Sequence, residues 1–153
     1  MIRAYDKTYL EDAMLNLAVD YGSIACAGGI DEFYDRMLAG NVIRQFEKGN
    51  PKYVSGLSGI ELGKKIIEST GGRARDYNYV LDDRSAIFWT GWVLAYLQWY
   101  TNVPFESLNA KGIDVHRVMD MYPTFHEADI SKFVYSALKI MSKSETDVSP
   151  LKR

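Results

Sequence analysis

The fold is decided by one aromatic-rich run, Phe88-Trp89-Thr90-Gly91-Trp92-Val93-Leu94-Ala95-Tyr96-Leu97-Gln98-Trp99-Tyr100. On an α-helix the apolar side chains of this run would point in every direction. A helix that is apolar all round is buried, so residues 86–101 are predicted to form the central core helix. Gly91 would allow a second helix to approach closely, because glycine has no Cβ atom.

Four aromatic residues share one face of this predicted helix: Trp89, Trp92, Tyr96 and Trp99. Burial in the core explains them, provided that each indole N–H and phenol O–H finds a partner. The competing interpretation is that one edge of this face stays exposed as a binding surface, since Trp and Tyr dominate such sites. With Tyr53 and His126, these four residues are the candidate binding residues.

Helical periodicity outside the central run predicts an all-α fold, a compact bundle of about seven or eight helices around the aromatic-rich helix. Three pairs have the spacing of an N-terminal capping box, and they are Thr8 with Glu11, Ser58 with Glu61 and Thr124 with Glu127. Asp31, Ser85 and Asp114 are single caps. A stripe of apolar residues from Leu10 to Ile24 predicts a continuous first helix. The last helix is expected to begin after Pro123 and to bury Leu138.

Two stretches lack helical periodicity. Residues 50–57 are predicted to be a loop, because Asn50-Pro51 disfavours a helix before the proline. The stretch from Arg73 to Arg84 is irregular, although alternation of Tyr77, Tyr79 and Leu81 would allow a short extended segment. We predict one helical domain over residues 1–141 and a disordered C-terminal tail over residues 142–153.

Composition and charge exclude several classes of protein. The chain has 153 residues, of which 47% are hydrophobic, and its net charge is −2, which gives no long-range attraction for nucleic acids. Neither a secretory signal nor a run long enough to span a membrane is visible, so the expected location is the cytoplasm. The lone Cys26 has no cysteine with which to form an internal disulfide, and it is expected to be a small buried hydrophobe.

The segment His126-Glu127-Ala128-Asp129 suggests chemistry but lacks the second histidine of the metal-binding HExxH pattern. Glu127 also has a structural explanation as part of the predicted capping box. No residue is therefore assigned a catalytic role, and no metal or cofactor is predicted. The alternative is an enzyme or small-ligand-binding protein that uses His126 with Glu127 or Asp129, and perturbed acid–base groups in a pocket would support it.

Four segments carry a resemblance to a known family, and they are GNPKY (49–53), GLSG (56–59), WTGWVLAYLQW (89–99) and YPTFHEAD (122–129). The chain resembles, over about residues 41–135, a family of small, functionally uncharacterised bacterial proteins common in gut anaerobes. Members tend to be encoded near other small genes, some of them similar to ADP-ribosyltransferase-like toxins and their antitoxins. The resemblance implies a partner protein and no catalytic residue.

The leading hypothesis is therefore a protein-interaction module, antitoxin-like in its relation to a co-encoded partner. It depends on the aromatic content of 13%, the missing catalytic motifs and the resemblance. A second alternative is a DNA-binding regulator built on a helix-turn-helix unit, which would need a basic face. A homo-oligomer is compatible with any of these hypotheses.

Overall fold

The computed structural model describes residues 3–75, 78–82 and 84–148, and in the last helix it describes side chains as far as residue 144. The helices are α1 (Lys7–Asp12), α2 (Leu15–Ala25), α3 (Gly29–Ala39), α4 (Asn41–Glu47), α5 (Pro51–Val54), α6 (Gly59–Ser69), α7 (Ala86–Thr101), α8 (Phe105–Ala110), α9 (Val115–Phe125) and α10 (Ile130–Val148). No strand occurs within these described ranges, which confirms the predicted all-α class.

Helix α7 is the central element, as its composition predicted. It packs along α2, while α1, α8, α9 and α10 contact other parts of it. Helix α2 in turn packs against α3 and α6. Val93, Leu94 and Leu97 of α7 are at most 1% exposed, so the core of the protein surrounds this helix.

The predicted close approach at Gly91 is present between α7 and α2. A Cβ atom at this position would lie 2.7 Å from the Cα atom of Asn16 and 2.9 Å from the carbonyl oxygen of Leu15. These are backbone atoms, so no side chain can turn away to make room. The backbone of α2 therefore lies directly against α7 at Gly91.

Three of the predicted N-terminal caps are confirmed. Ser58 and Glu61 form a reciprocal capping box at α6, with Glu61 N–H donating to Ser58 Oγ. Ser85 Oγ accepts from Phe88 N–H at α7, and Asp114 accepts from Arg117 N–H at α9. Each of these caps satisfies a backbone amide that has no partner inside its own helix.

The prediction of one continuous helix from Leu10 to Ile24 is wrong. The chain leaves the helical conformation at Ala13, and the capping residue of α1 is Asp6, whose side chain makes no capping hydrogen bond, so Thr8 forms no capping box. Helix α2 begins at Leu15, after the non-helical residues Ala13 and Met14. Ile24, assigned to the buried stripe, is consequently 40% exposed.

Two helices, α5 and α3, begin at positions that differ from the prediction. Residues 51–54 form a helical turn, capped by the Asn50 side chain, because Pro51 at the first helical position needs no amide partner. Helix α3 begins at Gly29, and Asp31 lies within its first turn instead of capping it. Glu32 Oε1 accepts from Gly28 N–H at this end.

The predicted capping box of Thr124 and Glu127 is absent, because α9 continues through Pro123 as far as Phe125. A proline this close to the C-terminal end of a helix removes one hydrogen bond but keeps a helical φ angle. Helix α10 begins at Ile130, and Asp129 accepts from Ser131 N–H before it. Its backbone continues to Val148, beyond the predicted boundary at residue 141, while residues 149–153 lie outside the described part of the chain.

The irregular stretch before α7 is held to the bundle by a buried carboxylate. Asp20 of α2 is 4% exposed and accepts from Tyr79 Oη at 2.5 Å and from Ser85 Oγ at 3.1 Å. Arg75 N–H donates to the Ala25 carbonyl oxygen at the end of α2. Residue 77 of the predicted extended segment lies outside the described residues.

Within the described ranges, no helix combines the length and the hydropathy needed to cross a bilayer. The same ranges contain no group of three or more His, Cys, Asp or Glu side chains placed to hold a metal ion. Cys26 is buried, at 1% exposure.

Gly91→Ala should destabilise the protein by about 1–3 kcal/mol, the usual cost of overpacking, because α2 and α7 would have to separate. This loss is expected although alanine is a better helix former than glycine by about 1 kcal/mol. Urea unfolding measures the difference. Asp120→Ala, at an exposed position inside α9, is the matched control and should be neutral or slightly stabilising. A Gly91→Ala protein as stable as the control would contradict the backbone contact.

Candidate functional site

The aromatic face of α7 is half-buried along its whole length. Trp89, Trp92, Tyr96 and Trp99 all pack against the core, yet none of them is fully covered. Each of these side chains is therefore partly in contact with the core and partly exposed, as both interpretations of this face require. The structure divides these residues between two clusters.

The first cluster, called the Trp99 cluster here, consists of Trp92, Tyr96, Trp99, Tyr100 and Arg3. The ring of Tyr96 lies 6.0 Å from Trp92, 5.5 Å from Trp99 and 6.4 Å from Tyr100, measured between centroids. The guanidinium carbon of Arg3 lies 4.6 Å from the Trp99 centroid and 4.9 Å from that of Tyr100. The N-terminal segment is thus held against α7 by cation–π contacts.

Trp99 also makes the hydrogen bond that its buried indole requires. Its Nε1–H donates to the Tyr5 carbonyl oxygen at 2.8 Å, which ties the segment before α1 to the end of α7. Part of the predicted binding face therefore has a structural role, because this side of Trp99 is used within the chain.

The second cluster, called the Trp89 cluster here, contains Trp89, Tyr122, His126 and Phe133. The ring of Trp89 lies 5.7 Å from Tyr122 and 5.6 Å from Phe133, edge to face in both cases. Tyr122 stacks on His126 at 4.3 Å and donates through Oη to the Arg84 carbonyl oxygen. These contacts join α7, α9 and α10, so the cluster is mainly a packing feature.

His126 follows the last turn of α9 instead of opening the last helix. Its Nδ1 lies 2.7 Å from the Tyr122 carbonyl oxygen and must carry the proton, because a carbonyl can only accept. Glu127 is 3.6 Å from Nε2, with a side chain that is 88% exposed, and Asp129 serves as the cap before α10. Backbone and side-chain hydrogen bonding with Ser131 lowers the pKa of Asp129. Neither carboxylate is desolvated in the way that acid–base catalysis uses.

Tyr53 lies on α5, in a different part of the fold from the α7 clusters. It is half-buried against the core, and the Lys52 ammonium lies 5.6 Å from its ring centroid. The six predicted binding residues therefore do not form one site. Four of them lie along α7, His126 joins one of these four in the Trp89 cluster, and Tyr53 is separate.

An open groove runs between α7 and α10 beside the Trp99 cluster. It has a volume of about 230 Å³ and is lined by Tyr96, Tyr100, Ser131, Val134, Tyr135 and Leu138. Tyr135 is 63% exposed and Leu138 is 38% exposed, so the prediction that Leu138 is buried is wrong. Sequence reasoning did not single out Tyr135, which lies one helical turn before Leu138.

Positive charge follows this groove along α10. Lys132, Lys139 and Lys143 are exposed, and their spacing of seven and four residues places them on one stripe of the helix. Lys139 Nζ lies 4.6 Å from the ring centroid of Tyr135, so the stripe borders the groove. Residues 130–144 contain no acidic side chain, although the whole chain has a net charge of −2. The groove is therefore an apolar strip with a cationic border.

A second concave region, between α4, α7 and α8, contains a buried carboxylate that sequence reasoning missed. Glu47 is 8% exposed, and its Oε2 accepts from Phe105 N–H at 2.7 Å. Burial raises the pKa of Glu47, with a further contribution from Glu106, while the Phe105 amide and Arg44 lower it. Its signal in the sequence is weak, since a short helix with one acidic residue is typical of a surface.

The pKa values of two buried tyrosines, Tyr5 and Tyr34, are raised in part by the charge of the same carboxylate. Burial, and then the negative charge of Glu47, raises the pKa of Tyr5, and burial with the charges of Asp114 and Glu47 raises that of Tyr34. Both hydroxyl groups are buried and lack a hydrogen-bond partner among the described residues. Burial is the main cause for both tyrosines, and the charge of Glu47 contributes to both.

Comparison with known proteins adds no relative from which a role could be transferred, because no protein-family model, curated protein or solved structure matches the chain.

Trp99→Phe should destabilise the protein by about 1–2 kcal/mol, because it removes the hydrogen bond to Tyr5 and weakens the cation–π contact with Arg3. Trp92→Phe is the matched control, since the recorded ring contact of Trp92 is with Tyr96 on the same helix. Urea unfolding of both variants measures the difference. If both variants lose the same free energy of unfolding, the loss comes from the smaller ring, and the contact of Trp99 with the N-terminal segment adds no stability.

Glu47→Gln should change how stability depends on pH. The folded wild-type protein holds the Glu47 proton more tightly than the unfolded chain does. Its free energy of unfolding should therefore fall as pH rises from about 4.5, the ordinary pKa, through the raised folded-state pKa. Glutamine keeps an acceptor for Phe105 N–H and has no proton to lose. The wild type should lose stability relative to the variant over this window, by at most about 1.4 kcal/mol per pH unit, and parallel profiles would contradict the assignment.

Proposed function

We propose that this protein is a protein-interaction module whose α7–α10 groove binds an acidic, amphipathic segment of a partner protein. The observation that carries the proposal is the combination of exposed Tyr135 and Leu138 with the lysine stripe along the same helix. Tyrosine side chains supply large contact areas at interfaces, and complementary charge at the rim orients the partner.

The size of the groove favours a protein segment over a small molecule. Its volume of about 230 Å³ falls below the range of roughly 300–1,000 Å³ that small-molecule sites usually have. A groove of this size between two helices can accept one or two apolar side chains of a partner helix, with the rest of that helix lying across the surface.

The charge pattern favours protein over nucleic acid. Three lysines spread over about 17 Å of helix provide few phosphate contacts, whereas typical duplex-binding proteins make roughly 6–10 of them. An apolar strip beside the lysines would make no contact that helps to bind the sugar-phosphate backbone of a nucleic acid. It is complementary to a segment with apolar residues on one side and Asp or Glu on the other.

The resemblance to bacterial proteins encoded near toxin–antitoxin-like genes extends this proposal. On that basis the partner would be a co-encoded protein, and this chain would act as an antitoxin-like subunit in the cytoplasm. No reaction is assigned to the protein under this proposal. The alternative function centred on His126 receives less support, because Glu127 is almost fully exposed and Asp129 is occupied as a cap.

The proposal is tested by replacing Tyr135 with the photo-crosslinking residue p-benzoylphenylalanine and irradiating cells of the native host. A discrete adduct should form at position 135 and be absent when the crosslinker replaces Tyr9, which is 42% exposed on α1. Mass spectrometry should locate the adduct in an acidic, amphipathic segment of a different protein. Equal labelling at both positions, or an adduct with a second copy of this chain, would overturn the proposal.

Charge reversal then tests the contribution of the lysine stripe with the identified partner. Lys139→Glu combined with Lys143→Glu should weaken binding by at least about tenfold, mainly by slowing association. Lys64→Glu combined with Lys65→Glu changes the net charge equally on the exposed face of α6 and should leave the affinity unchanged. Equal effects of the two pairs would mean that only the overall charge matters, and the α7–α10 site would be rejected.

A further inference from the structure

The cavity between α4, α7 and α8 has a volume of about 530 Å³, more than twice that of the α7–α10 groove and within the range of small-molecule sites. Its lining includes the charged or amide side chains of Arg44, Glu47, Lys48, Gln98 and Glu106. They include two cations and two anions, so the lining is strongly polar but close to neutral in sum.

The deep side of this cavity is built from buried polar groups. Glu47 is 8% exposed, and Phe105 N–H donates to one of its two carboxylate oxygens. Gln98 is 1% exposed, and its Oε1 has no hydrogen-bond partner among the described residues. Buried polar groups without a partner are uncommon and costly, so a ligand or water that supplies the missing hydrogen bonds would stabilise this wall. Glu47 and Gln98 both line the cavity, and a carboxylate together with a carboxamide oxygen is complementary to a protonated amine, which donates three hydrogen bonds.

The outer side of the cavity presents cations. Arg44 Nη2 donates to the Glu106 carboxylate at 2.9 Å and to the Leu38 carbonyl oxygen at 2.7 Å. The Glu106 side chain is 70% exposed, so this ion pair is weak and easily exchanged for another carboxylate. Lys48 is exposed at the same rim and adds a second positive charge. The guanidinium of Arg44 thus already shows the geometry that a ligand carboxylate would use.

We propose that this cavity binds a small zwitterion of the amino-acid class. The protonated amine lies against Glu47 and Gln98, and the carboxylate lies against Arg44 and Lys48. A compound with both charges matches a lining that contains both signs, whereas a simple cation or anion would leave one side unpaired. The site is separate from the α7–α10 groove and does not depend on the binding of a protein partner.

Nuclear magnetic resonance of the full-length, ¹⁵N-labelled protein tests the proposal. The probes are the common L-amino acids, each added to about 10 mM, well above a Kd of roughly 1 mM. At least one should cause saturable shifts of the Gln98 side-chain amide and the Phe105 backbone amide. For that amino acid, the matching amine without a carboxylate and the matching acid without an amine should each bind about tenfold more weakly or not at all. Absence of saturable shifts with every amino acid would overturn the proposal and leave a solvent-filled cavity.

Variants separate the two ends of the site. Glu47→Gln should weaken binding of the amino acid by about tenfold or more, because the charged acceptor for the amine is lost. Lys48→Ala, at an exposed position where folding is not at risk, should weaken it several-fold through the carboxylate. Lys52→Ala, on α5 and outside the lining, is the control and should bind normally. Binding that survives both cavity variants would place the ligand elsewhere and reject this site.

Discussion

The contact between Gly91 and the backbone of α2 sets the position of α7, and the other surfaces of the protein depend on that position. Because the carbonyl oxygen of Leu15 and the Cα atom of Asn16 occupy the space of a missing Cβ atom, α7 cannot rotate or slide without a clash. Interiors are close-packed and respond to such restraints as a whole. The aromatic face of α7 is thereby directed between the N-terminal segment and α10, while Gln98 is directed toward α4 and α8.

A central helix with so few polar residues makes those few informative. Thr101 donates to the Leu97 carbonyl oxygen within its own helix, so it needs no further explanation. Gln98 Oε1 has no comparable partner among the residues that the structure describes, although Gln98 is as buried as the leucines beside it. Burying a carboxamide without its hydrogen bonds costs free energy that a leucine at this position would not cost. Thr90 Oγ1 of the same helix is also buried without a partner among the described residues, but Gln98 differs from it in lining the cavity that contains Glu47.

The features that the sequence predicts correctly depend on residues close together in the chain. The features that it does not predict depend on how helices pack against each other. The Ser58, Ser85 and Asp114 caps and the core role of α7 follow from short-range spacing. The capping box at Thr124 failed because Pro123 was taken to end a helix that in fact continues through it. Of the four candidate binding residues on α7, Tyr96 lines the α7–α10 groove, and Trp89, Trp92 and Trp99 are not part of its lining. Tyr135, on the other side of the groove, is contributed by a helix whose orientation no local pattern specifies.

The N-terminal segment links the groove to the cavity. Arg3 lies over Trp99 and Tyr100, and Tyr100 lines the groove. Ala4 lines the cavity, and Tyr5, whose carbonyl oxygen accepts from Trp99, has a hydroxyl group within the electrostatic influence of Glu47. Arg3, Ala4 and Tyr5 therefore lie between the two regions, and the segment is held to α7 by one hydrogen bond and two cation–π contacts. These are exposed or half-buried interactions of modest strength. Any displacement of this segment would alter the surroundings of Tyr100 in the groove and of Ala4 in the cavity together, so the two regions share a structural element.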